Sequence, residues 1–76
     1  MIMSNSEYGR FYFVLEEYLK EQGISKNKLM LQAHLQRTQL QNYCKNKVAR
    51  IDLTVLARIC HTLNCELSDI LKYERK

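Results

Sequence analysis

Chain reversals are the scarce resource in this sequence: its 76 residues contain no proline and only two glycines. Sheets built from tight hairpins need Gly, Pro or Asn at most of their turns. A β-rich fold is therefore disfavoured and helices are expected. A chain of this length makes one small domain and buries only about 60% of its unfolded surface. It has little room for a substrate cleft, which argues against most enzymes. With 46% hydrophobic and 26% charged residues, it has the balance of a soluble globular domain. No apolar run approaches the roughly 20 residues that span a bilayer. The opening MIMSNSEYGR lacks the basic-then-apolar pattern of a secretory signal. Three cysteines, an odd number, suit a reducing compartment better than a disulfide framework, so a cytoplasmic location is expected.

The spacing of apolar residues then divides the chain. Residues 1–9 read as a mobile N-terminal segment, and residues 10–76 as a single domain. From Arg10 to Gln22 a first helix is expected, with Phe11, Val14, Leu15 and Tyr18 at spacings of three and four. Tyr12, Phe13 and Leu31 fall off the main apolar stripes. Gly23 ends the first helix with a left-handed residue. Ser25 is a natural N-cap for KNKLMLQA, which turns Leu29 and Ala33 inward. After a tight turn at His34, Gln36 to Cys44 forms a third helix with Leu40 and Tyr43 inward, and Asn46 can take the left-handed stop. Asp52 caps a fourth helix, LTVLARICHTL, whose buried side carries Val55, Leu56, Ile59, Cys60 and Leu63; Asn64 closes it. A last short helix is expected from Leu67 to Tyr73, with Leu67, Ile70 and Leu71 inward. The expected fold class is all-α, a compact bundle of five helices.

Charge is distributed unevenly along these elements. Between Gln22 and Ile51 there is no acidic residue, while Lys26, Lys28, Arg37, Lys45, Lys47 and Arg50 supply six positive charges. The rest of the chain is net negative, although the whole carries +4. A surface so divided presents a basic face suited to a polyanion.

The two helices inside the basic stretch are joined by about three residues, and the second is polar outside. That is the layout of a helix-turn-helix unit. Here the chain resembles the Cro/C1-type (XRE-type) helix-turn-helix transcriptional regulators. The resemblance is carried by GISKNKLMLQAHLQRTQLQNYCKNK and IDLTVLARICHTLNCELSDIL, and covers about Arg10 to Tyr73. It implies a lambda-repressor-like DNA-binding domain whose third helix lies in the major groove. By position, the base-contacting residues it implies are Gln36, Arg37, Thr38, Gln41 and Asn42. Their chemistry suits the task. Arg can grip guanine O6 and N7 in a bidentate fashion, Gln or Asn can pair with adenine, and Thr can offer a hydroxyl or its methyl. The phosphate-contacting residues it implies are Ser25, Lys26, Lys28, Lys45, Asn46, Lys47 and Arg50, which would supply affinity without reading sequence. With no acid nearby in sequence, nothing is expected to repel phosphate from this face.

Departures from the family pattern carry expectations of their own. Many members pair an Arg late in the first helix with a Glu at the end of the third; here those positions are Leu19 and Cys44. An apolar replacement for a buried ion pair can be neutral or stabilising, so Leu19 is expected to pack on Cys44 in the core. His34 replaces the glycine often found in the turn and should carry mild strain if it keeps a left-handed conformation. Met30 replaces a commonly smaller residue.

Cys44, Cys60, His61 and Cys65 do not have zinc-ligand spacing, and the cysteines read as core residues. No nucleophile–base set and no glycine-rich phosphate loop is present. Neither a metal, a cofactor nor catalysis is expected. The function implied is a sequence-specific double-stranded DNA-binding regulator, a small repressor or autoregulator acting at an operator near a promoter. Its partner would be an inverted-repeat operator, bound by a homodimer that can form on the DNA itself, with Tyr12, Phe13 and Leu31, together with Tyr8 or Tyr73, as candidate contacts. The alternative is a protein-interaction module of the same fold, such as the antitoxin of a toxin–antitoxin pair.

Overall fold

A computed structural model describes residues 8–75. Strand β1 (Arg10–Phe13) is followed by helices α1 (Leu15–Gln22), α2 (Lys26–Gln32), α3 (Arg37–Cys44) and α4 (Leu53–Leu63). A single 3-10 turn (Leu67–Asp69) leads into strand β2 (Leu71–Glu74). Of the expected mobile segment 1–9, residues 1–7 lie outside the described residues. The Tyr8 carbonyl accepts a hydrogen bond from the Tyr73 hydroxyl.

The helix boundaries follow from local chemistry. Gly23 is left-handed (φ 70°), and the Ile24 N–H donates to the Leu19 carbonyl at 2.9 Å, closing α1. The Ser25 hydroxyl accepts from the Lys28 N–H at 3.0 Å, opening α2. Asp52 accepts from the Thr54 N–H at 2.9 Å to open α4, and Asn64 closes it at φ 53°. His34 does keep the left-handed conformation, at φ 57°. Glu16 and Glu17 lie in the first turn of α1, where the helix dipole favours acids.

The expected five-helix, all-α bundle needs correction at both ends of the chain. Among the described residues there are four α-helices and a two-stranded antiparallel sheet, paired Arg10↔Glu74, Phe11↔Tyr73, Tyr12↔Lys72 and Phe13↔Leu71. RFYF and LKYE are short, aromatic-bearing segments that fit a pleated ladder, and each finds its partner only across the whole length of the chain. The period of two sorts β1 accordingly. Arg10 stacks over the Tyr12 ring at 5.0 Å on one face. On the other, Phe11 meets Tyr73 (4.9 Å) and Phe13 stacks on Tyr43 (5.2 Å, 7° between planes). Phe11, expected inward, is exposed, and Phe13, expected off the stripe, is buried. Leu67 is exposed as well; Ile70, fully buried, anchors this end of the chain instead.

Leu15, Leu29, Ile59 and Ile70 form the fully buried centre of the core, surrounded by Leu19, Ala33, Leu35, Leu40, Tyr43, Cys44, Val55 and Leu56. Leu19 and Cys44 are thus buried in the same cluster. Burial raises the Cys44 thiol above its ordinary range, and burial with the adjacent Cys60 pushes Cys65 up to about 11. The linkage follows from that direction. The neutral Cys65 thiol contributes its full stability below the unfolded value of 9.0 and loses it as pH rises through about 11. Urea midpoints measured from pH 8 to 11 should therefore fall more steeply for the natural protein than for Cys65→Ala. Identical slopes would remove Cys65 from the alkaline instability.

Candidate nucleic-acid interface

α2, a short turn and α3 make a helix-turn-helix. The turn is held by two buried side chains, Ala33 and Leu35, and by the Leu35 N–H donating to the Met30 carbonyl at 2.9 Å. His34 projects between them, exposed. Burying Leu35 fixes where the chain re-enters α3, and Gln36 adopts the extended N-cap conformation (φ −79°, ψ 150°).

α3 is two-sided. Leu40, Tyr43 and Cys44 point into the core. Arg37, Thr38 and Gln41 are exposed together with Gln36, and Asn42 is half-buried. The Tyr43 hydroxyl accepts from the Asp52 N–H at 3.2 Å, so the inner face of α3 also positions the start of α4. Of the five residues expected to meet bases, Gln36 is therefore the exposed N-cap, Asn42 sits half-buried at the margin, and Arg37, Thr38 and Gln41 share the outward side of α3. Below it, Lys26, Asn27, Met30, Arg37, Leu40 and Gln41 line a shallow hollow of about 50 Å³ between α2 and α3.

The residues expected to meet phosphate divide into two groups. Lys28, Lys47 and Arg50 are exposed and make no ion pair among the described residues. The others make contacts within the protein, although Ser25, Lys45 and Asn46 are exposed as well. Ser25 is occupied as the α2 cap. Asn46 turns its amide onto β1, accepting from the Phe13 N–H at 2.6 Å and donating to the Phe13 carbonyl at 3.1 Å. Its side chain thus binds the strand, although the residue itself is exposed. Lys26 and Lys45 lie 3.5 and 3.7 Å from the two carboxylate oxygens of Glu16.

Glu16 also corrects the expectation that no acid adjoins the basic face. α1 carries it there from outside the acid-free stretch. A signal was available: Glu16 lies one helical step of three from Leu19, so any packing of Leu19 against the end of α3 brings Glu16 beside Lys45. Burial disfavours the charged carboxylate, but the ammonium groups of Lys26 and Lys45 outweigh it and hold the carboxyl below its usual value. Among the described residues, no group of three His, Cys, Asp or Glu is placed to hold a metal, and no helix is long and apolar enough to cross a membrane.

Comparison with known proteins gives the same unit. Residues 14–76 match the model of the Cro/C1-type HTH DNA-binding domain. The solved structure of the transcriptional regulator VanUg superposes with a TM-score of 0.73 at 23% identity, covering 100% of both chains. At that identity the likeness establishes the fold. No curated protein matches the chain by sequence.

Proposed function

The chain belongs to the Cro/C1-type helix-turn-helix DNA-binding family, and on that premise we propose that it is a sequence-specific regulator of transcription acting as a small repressor or autoregulator. The observation that carries this reading is the exposed row Arg37, Thr38 and Gln41 on α3, flanked by Lys28, Lys47 and Arg50, which have no internal ion-pair partner among the described residues. A helix so presented fits the major groove, with side chains at base edges and lysines at the backbone on either side. Gln36, Arg37, Thr38, Gln41 and Asn42 are the proposed base contacts. Lys28, Lys47 and Arg50 are the principal phosphate contacts, with Ser25 and Lys45 beside them in secondary positions, while Lys26 is held between Glu16 and Gln41.

In this reading residues 10–76 act as one binding unit in the cytoplasm, without cofactor or catalysis. Two copies occupy an inverted repeat, and occupancy alone is enough to occlude a promoter. The exposed Phe11–Tyr73 pair is a surface available to a second copy.

Fluorescence anisotropy with duplex from upstream of the protein's own gene, beside a scrambled duplex, tests the reading. Tight binding to the first alone is expected. Three principal phosphate contacts per protomer give a slope of log K against log salt of about −3 per protomer. Arg37→Ala should cost about 1–3 kcal/mol and relax preference at one base pair. Weakening all DNA equally would place Arg37 on phosphate. Binding to neither duplex would favour the protein-interaction module, for which the Phe11–Tyr73 surface is the docking candidate.

A further inference from the structure

We propose that Glu16, a residue of α1 outside the helix-turn-helix, is a positioning residue for base recognition. Acting through Lys26, it sets which end of the Gln41 carboxamide faces away from α2, and so which orientation of one base pair Gln41 reads. The inference rests on the DNA-binding reading above and deepens it.

The chain of contacts is short. Glu16 Oε2 lies 3.5 Å from Lys26 Nζ, and Glu16 Oε1 lies 3.7 Å from Lys45 Nζ. Lys26 Nζ in turn donates to Gln41 Oε1 at 3.5 Å. A carboxamide has an accepting end and a donating end, and turning it over exchanges them. An ammonium only donates, so the end of Gln41 nearest Lys26 must be the oxygen. Reversal would set the Gln41 NH2 against the Lys26 charge. The NH2 end is thereby turned away from α2. At 3.5 Å the contact is long, and its effect is to bias an orientation.

That bias has informational content. Adenine presents N6–H2 and N7 side by side in the major groove, and a glutamine pairs with both only when its own oxygen and nitrogen run in the matching order. A carboxamide of fixed polarity accepts one orientation of the base pair; one free to turn over accepts more. Glu16 is what keeps Lys26 in place. Lys26 is half-buried, and the Glu16 carboxylate balances its charge from the protein side. Without that carboxylate, the nearest strong anion for Lys26 on bound DNA is a phosphate, and a lysine that moves there leaves Gln41 unguided.

Selection from a randomised duplex library, read position by position, tests this. Glu16→Gln and Lys26→Met are compared with Lys26→Arg, Gln41→Ala and the natural protein, after thermal melts confirm that each variant is folded. Gln41→Ala should flatten one base pair and so locate it. Glu16→Gln and Lys26→Met should reduce discrimination at that same base pair by about 5-fold or more, the lower bound for one bidentate contact. Lys26→Arg, still a donor, should retain the preference, and Glu16→Gln should have no further effect there in the Gln41→Ala background. A general change in affinity would not explain a loss confined to one position. If Glu16→Gln changes affinity alone and leaves the base profile intact, or if Gln41→Ala flattens no position, the inference is overturned while DNA binding stands. If the natural protein enriches no sequence, the regulator reading itself fails.

Discussion

Replacing Tyr43 with alanine is expected to destabilise the domain by about 3–5 kcal/mol, read as a fall in urea midpoint with little change in slope. At roughly 0.05–0.15 kcal/mol per residue, a domain of this length has only about 4–11 kcal/mol of stability, so the variant should be near the edge of folding. Tyr43 has this weight because it joins three elements. Its ring lies flat on Phe13 of β1 at 5.2 Å, its own helix is α3, and its hydroxyl accepts from the Asp52 N–H at 3.2 Å where α4 begins. Alanine empties the space beneath β1 and removes the acceptor at the α4 start. Tyr43→Phe separates the two effects. It keeps the stack and should cost about 1 kcal/mol, the net worth of one hydrogen bond. If Tyr43→Ala costs less than the phenylalanine variant, the stack on Phe13 does not support the strand pair.

The same residue shows what was legible in the sequence. That Tyr43 faces inward follows from its spacing to Leu40 on one helix face. That it meets Phe13 does not, because Phe13 was placed by extending the α1 stripe backward into a segment that is strand. Helix periodicity and a short apolar strand look alike over four residues. What separates them is the pairing of Arg10–Phe13 with Leu71–Glu74, a contact between the two ends of the chain that no local window contains. Caps and stops were legible for the opposite reason. Ser25, Asp52, Gly23 and Asn64 each satisfy or release backbone groups within five residues of themselves, so their chemistry is local. The outward residues of α3 were legible from its period. Their electrostatic surroundings were legible only through the expected packing of Leu19 on Cys44, since Glu16 arrives from another helix.

Asn46 provides the second large effect and separates folding from binding. Asn46→Ala is expected to cost about 2–5 kcal/mol: about 0.5–1.5 for each of the two hydrogen bonds to Phe13 and about 1–2 for alanine, which lacks the short polar side chain that lets asparagine occupy the left-handed region. The observed φ of 58°, with hydrogen bonds of 2.6 and 3.1 Å to the Phe13 N–H and carbonyl, is the basis for both terms. Asn46→Gly keeps the conformation and loses the bonds, so it should be about 1 kcal/mol more stable than the alanine variant. Asn46→Asp keeps the acceptor for the Phe13 N–H but turns a second oxygen toward the Phe13 carbonyl, and should fall below the natural protein. Because the side chain is spent on β1, folded Asn46→Gly should bind DNA with an unchanged salt slope. Lys47, next in sequence but exposed and with no ion pair among the described residues, should do the reverse. Lys47→Ala should leave stability within about 0.5 kcal/mol and reduce the salt slope by about 1. Neighbouring residues would then divide the exit of α3 between them, one fastening the recognition helix to the strand pair and the other reaching the phosphate backbone. A reduced salt slope in Asn46→Gly would return Asn46 to the DNA surface.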